Sequence, residues 1–209
     1  MQTLKRFNIF LFVILLLIPL KSMGMFELDF DFGYDRQIYG VNRQNSVVSR
    51  NYSGGFSSYL FDLTALDFNI ANSQDITSEN DRYSTGVIGY EVVAHQNRVK
   101  TNVYGVGIKQ MLAGRGSFIV PVISVGYARE FVTSSGDLTV ENTSTLERSV
   151  YNLKETRQRY NSVFGAFSLQ IKLTERFSLK GTVKTIFPAF KFSKARDNVK
   201  YSAGMTWFF

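Results

Sequence analysis

The 209-residue chain contains no cysteine, which excludes disulfides and thiolate metal sites. It has one histidine, His95, and only 3 prolines. It also lacks long apolar runs, with one exception at the N-terminus. There Lys5 and Arg6 precede an apolar stretch from Phe7 to Leu20, broken by Asn8 and bounded by Lys21. The stretch is about 14 residues, short of the roughly 20 that a spanning helix needs. With small residues at Ser22 and Gly24 it reads as a secretory signal peptide cleaved after Gly24. An uncleaved anchor is the alternative. No later segment approaches helical spanning length, so a helical membrane protein is excluded. Residues 1–24 are thus the leader and 25–209 the mature domain, a length suited to one domain. Loss of Lys5, Arg6 and Lys21 lowers the net charge from +7 to +4. The remaining basic residues are dispersed rather than gathered in a tract or helix, which argues against nucleic acid as a partner.

What the chain does have is aromatics and glycine: 19 Phe, 11 Tyr and 16 Gly. They are arranged with a period of two, the signature of strands rather than helices. The last nine residues are the clearest case. Tyr201, Ala203, Met205, Trp207 and Phe209 share one face, while Ser202, Gly204 and Thr206 share the other, with Phe208 the only large exception. Directly after the leader, Phe26, Leu28, Phe30, Phe32 and Tyr34 alternate with Glu27, Asp29, Asp31, Gly33 and Asp35. A large apolar face backed by small or charged residues is the pattern of a transmembrane barrel strand, with lipid on one side and a crowded polar interior on the other. A half-buried strand of a water-soluble sandwich would also alternate.

Six further segments complete the set. The second strand lies within Tyr52–Leu60, its facing open. The third points Leu66, Phe68 and Ile70 outward and Asp67 and Asn69 inward. The fourth, about Lys100–Leu112, places Tyr104, Val106 and Ile108 outward and Lys109 inward. The fifth, Phe118–Phe131, places Ile123, Val125 and Tyr127 outward against Ser124, Ala128 and Glu130. The sixth, Tyr160–Leu173, directs Val163, Phe167, Leu169 and Ile171 outward and Ser168, Gln170 and Lys172 inward. The seventh, Phe177–Phe190, sets Leu179, Val183 and Phe187 against Lys180, Thr182 and Lys184, with Pro188 near its end, where a lost ladder donor is tolerated. Short turns at 61–63, 113–117 and 174–176 alternate with longer polar connections at 36–51, 76–99, 133–159 and 191–199. Tyr83–Ala94 reads as an extension of the hairpin between strands three and four. The expected fold is therefore all-β, an eight-stranded antiparallel up-and-down barrel.

At this level the mature chain resembles the small outer-membrane barrels of the OmpA and OmpW type. Its last strand is similar to the C-terminal signal, ending in Phe, that the outer-membrane barrel assembly machinery of Gram-negative cells reads. The segments Tyr39-Gly-Val-Asn-Arg-Gln-Asn45, Arg50-Asn-Tyr-Ser-Gly54 and Tyr59-Leu-Phe-Asp62 resemble an outer-membrane barrel family described from myxobacteria and their relatives. The resemblance implies an exported outer-membrane protein. Its expected partners are membrane lipid, lipopolysaccharide and the assembly machinery, it is expected to be monomeric, and it implies no cofactor or metal.

An eight-stranded barrel encloses a space that side chains just fill. The inward carboxylates Glu27, Asp29, Asp31, Asp67 and Glu130 and the inward ammonium groups Lys109, Lys172, Lys180, Lys184 and Lys200 would have to pair there. Closure sets Asp29 and Asp31 near Lys200 and, across the lumen, near Lys180 and Lys184. The expected result is a salt-bridged plug, and the alternative is an ion path lined by the same charges. Catalysis has little support, because His95, with Ser84 and Asp81 nearby in sequence, lacks a serine elbow or a triad spacing. Asn142-Thr-Ser144 fits a glycosylation pattern but reads as loop polarity in a bacterial setting. The basic residues of the long-connection end, among them Arg36, Arg50, Arg98, Lys100, Arg129, Arg157 and Arg159, are suited to phosphate; the alternative is ordinary solvated loop charges, balanced partly by Asp81, Glu141, Glu147 and Glu155. The expected role is structural or surface-interactive, and a narrow channel or carrier for small or hydrophobic molecules is the alternative. A soluble, ligand-binding periplasmic barrel is disfavoured by the apolar outer face.

Overall fold

The computed structural model describes residues 25–114, 116–189 and 198–209. The leader assigned to 1–24, and Lys191, Lys194 and Arg196 of the last long connection, lie outside them. Among the described residues nine strands run in chain order: β1 (Phe26–Tyr39), β2 (Asn45–Tyr59), β3 (Thr64–Glu79), β4 (Tyr83–Ser84), β5 (Tyr90–Met111), β6 (Ile119–Asn142), β7 (Arg148–Lys172), β8 (Phe177–Pro188) and β9 (Val199–Phe208). Every pairing is antiparallel, and each wall strand lies beside its sequence neighbour. Pairing of β1 with β9 closes the sheet on itself. β4 pairs only with β5, through Tyr83↔Val92 and Ser84↔Glu91, so the wall has eight strands and β4 extends one hairpin tip. The closing seam is pinned at its end by two backbone hydrogen bonds. Phe26 N–H donates to the Phe209 carbonyl at 2.9 Å, and Phe209 N–H donates to the Phe26 carbonyl at 3.0 Å.

Alternation decides what each face meets. On β1, Glu27 is fully buried and Asp29 nearly so, while Phe30 is 55% exposed and Tyr34 54%. Inward positions elsewhere are Ser57, Asp67, Lys109, Ser162, Gln170 and Thr206; outward ones are Ile70, Val125, Leu169 and Trp207. Charge inside and large apolar groups outside inverts the arrangement of a water-soluble domain. β2, whose facing the sequence left open, turns Tyr52 and Phe56 outward and Ser57 and Tyr59 inward. Phe187 departs from the expectation. Its parity is outward, but it is buried, at 8% exposure.

The strands are longer than their apolar rows. β5, β6 and β7 run 22, 24 and 25 residues, where a tilted barrel strand crosses a bilayer in about 9–11. The connections expected at 36–51, 76–99 and 133–159 are mostly strand, and the actual turns are near 40–44, 80–89 and 143–147. Backbone ladders continue there with polar side chains on both faces, so no apolar period marks them. Register slips at Val92/Ala94 and at Ser134/Gly136 bend this projecting blade. Tyr83–Ala94 forms the small hairpin at its tip, where Gly86 and Gly89 take positive φ.

Inside the barrel, at the end of the short turns, Tyr59, Ala65, Met111, Val120, Val122 and Phe208 form a buried apolar layer, with Met25, Leu63 and Ala113 against it. Phe208, the exception in the C-terminal alternation, belongs to this layer. A second apolar patch, Val103, Ala128 and Phe164, lines the wall higher up. The Phe164 ring lies over the facing pair Gly107↔Gly126. A Cβ at Gly126 would fall 2.6 Å from the ring and one at Gly107 2.8 Å from it, so this close approach requires glycine at both positions.

Candidate functional site: the charged lumen

Above the apolar layer the inward charges converge. Lys109, reaching across the lumen from β5, contacts Asp29 of β1, lies 3.3 Å from Glu27 Oε1 and 3.6 Å from Asp67 Oδ1, and donates to Ser57 Oγ at 2.8 Å. Lys180 of β8 sits 2.8 Å from Asp29 Oδ1 and 3.2 Å from Asp31 Oδ2. Asp29 is therefore held between two ammonium groups from opposite walls, and it also accepts from Thr206 Oγ1 at 2.7 Å. Glu27 accepts from Tyr59 OH and, at 3.0 Å, from Gln170 Nε2. Asp67 accepts from Ser57 Oγ at 2.9 Å and from Asn69 Nδ2 at 3.3 Å. The buried carboxylates Glu27, Asp29 and Asp67 thus each face Lys109 and also accept from neutral donors, the condition under which burial is tolerable, whereas Asp31 Oδ1 is buried without a hydrogen-bond partner among the described residues.

The other candidates lie outside this layer, and the expected partners change. Lys184 does not bridge Asp31; it donates to Asn69 Oδ1 at 3.1 Å and stands 4.9 Å from the centre of the Phe164 ring. Lys200 does not reach Asp29 or Asp31 either. It donates to Ser73 Oγ at 3.1 Å and lies 3.8 Å from Asp75 Oδ2. Lys172 sits at the short-turn rim, 5.9 Å from the centre of the Phe208 ring. Glu130 lines the upper lumen. The physical reason for the changes is tilt and stagger: strand neighbours in the wall are offset along the axis, so cross-lumen reach decides the partners. Sequence reasoning missed Tyr59, Ser57, Gln170, Thr206, Asn69 and Asp75. Asn69, Gln170 and Thr206 had inward parity in the sequence and Asp75 shares it, whereas Ser57 and Tyr59 lie on β2, whose small residues on both faces hid its facing.

A cavity of about 320 Å³ lies above the network, walled by Asp31, Asn69, Asp75, Glu130, Phe164, Lys184 and Lys200. Its lower boundary includes Asp29, Lys109 and Lys180. Farther up, the blade is fastened by polar contacts. Asp81 accepts from Gln44 at 2.5 Å and from Asn45 at 2.6 Å, which ties the β1–β2 turn to the segment after β3. These two hydrogen bonds hold the Asp81 carboxyl below its usual range. Glu141 lies between Arg148 at 2.7 Å and Arg82 at 3.1 Å. The Arg148 hydrogen bond, aided by Arg82, keeps its carboxyl below the usual value. His95 is 3.7 Å from Glu79, and no serine hydrogen bond to it occurs among the described residues.

No protein-family model and no curated protein matches the chain. Solved structures do match along its length. The N-terminal β-barrel domain of Pseudomonas aeruginosa OprF aligns over 90% of this chain and 100% of its own at 15% identity, with a TM-score of 0.48. Neisserial surface protein A aligns over 88% and 96% at 12% identity and a TM-score of 0.42. Ail, the attachment invasion locus protein of Yersinia pestis, solved with the heparin analogue sucrose octasulfate, aligns over 90% and 100% at 11% and 0.41. At these identities and scores the likeness concerns architecture alone. The finer resemblance to the myxobacterial family rests on the quoted segments only.

Proposed function

We propose that the chain is an integral outer-membrane barrel whose lumen is closed to solutes and whose role is structural or surface-interactive, without catalysis. The observation that carries this reading is the inverted distribution of polarity. A closed eight-stranded wall exposes Phe30, Ile70, Val125, Leu169 and Trp207, and it buries Glu27, Asp29, Lys109 and Lys180. A closed barrel leaves no edge and no unsatisfied ladder, which is what lets strands cross hydrocarbon. The short turns would face the periplasm and the blade the exterior. In this reading residues 1–24 direct export, Tyr201, Ala203, Met205, Trp207 and Phe209 present the assembly signal, and membrane lipid is the main partner of a monomer.

Closure of the lumen is supported by two stacked layers, the apolar one around Met111 and Phe208 and the paired charges above it. An ion following the axis would have to pass both. Single-protein recordings in planar bilayers test this directly. The expected trace shows no steady conductance. A large, stable conductance would replace the closed barrel with the channel reading.

A further inference from the structure

Outside the barrel, strand parity separates the signs of charge. Just beyond the apolar band, and up to the bulge at Ser134/Gly136, the outward positions of β5–β7 hold Arg98, Lys100, Arg129, Arg157 and Arg159. Those of β1 and β2 hold Arg36 and Arg50. The carboxylates at the same levels, Asp35, Asp75, Glu79 and Glu130, sit at inward positions. Glu155, inside the β7 bulge and bonded to Arg157 at 2.6 Å, is the one acidic residue on this belt. An ordinary solvated surface mixes the signs; here like charges are gathered on the outer wall.

The belt has a defined centre. Arg129 and Arg159 both place their guanidinium groups against the Phe131 ring, at 5.9 Å and 5.6 Å from its centre. Phe131 is itself held edge-to-face by Tyr104, at 5.9 Å. Two like charges share one ring, an attraction that partly offsets their repulsion and fixes them as a pair. Lys100 and Arg157 occupy the next outward row, joined through Thr133.

Along the pairing row that ends at Arg129 the wall is indented, three strands away on β2. One outward row reads Phe30↔Gly54↔Ile70↔Tyr104↔Arg129, and the missing side chain at Gly54 leaves a gap between Phe30 and Ile70. The gap is part of a groove of about 580 Å³ bounded by Leu28, Phe56, Phe68, Val106 and Tyr127 and reaching Arg129. Nothing in the packing demands glycine at this position: an added Cβ would meet only the Asp29 carbonyl, at 3.8 Å.

We propose that this groove and the Arg129–Phe131–Arg159 unit form one binding site for a phosphorylated glycolipid of the outer leaflet. An acyl chain lies over Gly54 and a headgroup phosphate is held by the two guanidinium groups. Guanidinium is the side chain best matched to phosphate oxygens, and the groove supplies an apolar face continuous with it. Several cations over three adjacent strands suit a headgroup with more than one phosphate better than a singly charged phospholipid. The proposal rests on the membrane-barrel reading.

The test uses the mature chain refolded into phosphatidylcholine vesicles, with folding scored by the mobility difference between unheated and boiled samples. Binding of diphosphorylated lipid A, its dephosphorylated form, phosphatidylglycerol and inorganic phosphate is then measured on the folded protein. Wild type should bind diphosphorylated lipid A at least tenfold more tightly than the other three. Arg129→Gln with Arg159→Gln should lose at least tenfold, and Gly54→Leu, which fills the groove and leaves the charges, several-fold. Both variants should fold as wild type does. Folded variants that bind lipid A like wild type, or equal affinity for dephosphorylated lipid A, overturn the site. Equal affinity for phosphatidylglycerol overturns the choice of a glycolipid. Failure of wild type to fold into vesicles removes the membrane reading itself, and the site with it.

Discussion

Substitution at Asp29 tests whether the buried charges act as a unit. Asp29→Asn keeps the shape and the capacity to accept from Thr206, but removes the charge facing Lys109 and Lys180. Breaking a buried pair by removing one partner costs about 3–5 kcal/mol. The lower end applies here, because Lys109 keeps Glu27 at 3.3 Å and Asp67 at 3.6 Å, and Lys180 keeps Asp31 at 3.2 Å. The expected loss is about 3 kcal/mol, with a similar loss for Lys180→Met. The double variant removes one charge of each sign, so its loss should fall short of the sum by about 1–3 kcal/mol of coupling. Lys184→Met is the control. It deletes a hydrogen bond to Asn69 without orphaning a paired carboxylate, and should cost about 1 kcal/mol. The assay is reversible urea unfolding in lipid vesicles. At a slope of about 2 kcal/mol per molar, the Asp29→Asn midpoint should move down by roughly 1.5 M. Single losses under about 0.5 kcal/mol, or strict additivity of the double variant, would refute the network.

Other outcomes follow from the same geometry. Phe30→Arg, Leu169→Arg and Val183→Arg put a charge on the exposed apolar face at a cost of about 2–4 kcal/mol at the bilayer midplane. Folded yield in vesicles should drop sharply for them and little for the inward Ser168→Asn; equal tolerance would mean that the faces are reversed. Deleting Phe209 removes both backbone bonds to Phe26 and leaves the chain ending on Phe208, an inward residue out of phase with the outward aromatic row. The protein should then be lost from the outer membrane, as read by fractionation, and normal levels there would contradict the role given to the last strand. The blade tip should respond to acid. Glu141 has a folded pKa below its unfolded one, so its contribution is present above the ordinary glutamate value of about 4.5 and lost as pH falls through the folded value. Protease cleavage near Arg82 and Arg148 should stay constant from neutral pH down to that value and rise below it; a rise near neutrality would exclude Glu141 as its cause.

What could be read from the sequence was the parity of the wall. Phe30 against Asp29, Leu169 against Gln170 and Trp207 against Thr206 declare their faces two residues at a time, and the fold class follows from that. Strand length could not be read the same way. Between Thr133 and Asp137, polar residues occupy both faces, and the extra pair Lys154–Glu155 opposite Ser135 shifts the phase of β7, so a paired strand looked like a loop. β2 hid its facing behind Ser53, Gly54, Gly55, Ser57 and Ser58, small residues on both sides. In the lumen, inwardness was legible and partnership was not. Lys109 and Asp29 are 80 residues apart and meet across the lumen, a distance that depends on the number and tilt of strands. Phe208 broke the alternation for a reason visible only in three dimensions, because it sits in the apolar layer beneath those charges.

The central claim is that this wall crosses a lipid bilayer with its charged side inward. It is tested most directly by electrophoresis of membrane-extracted protein with and without boiling. The account predicts that the unheated protein stays folded and migrates at a different position from the boiled one, and that the protein is found in the outer-membrane fraction. Identical mobility in both lanes, with the protein recovered in the soluble fraction, would contradict it.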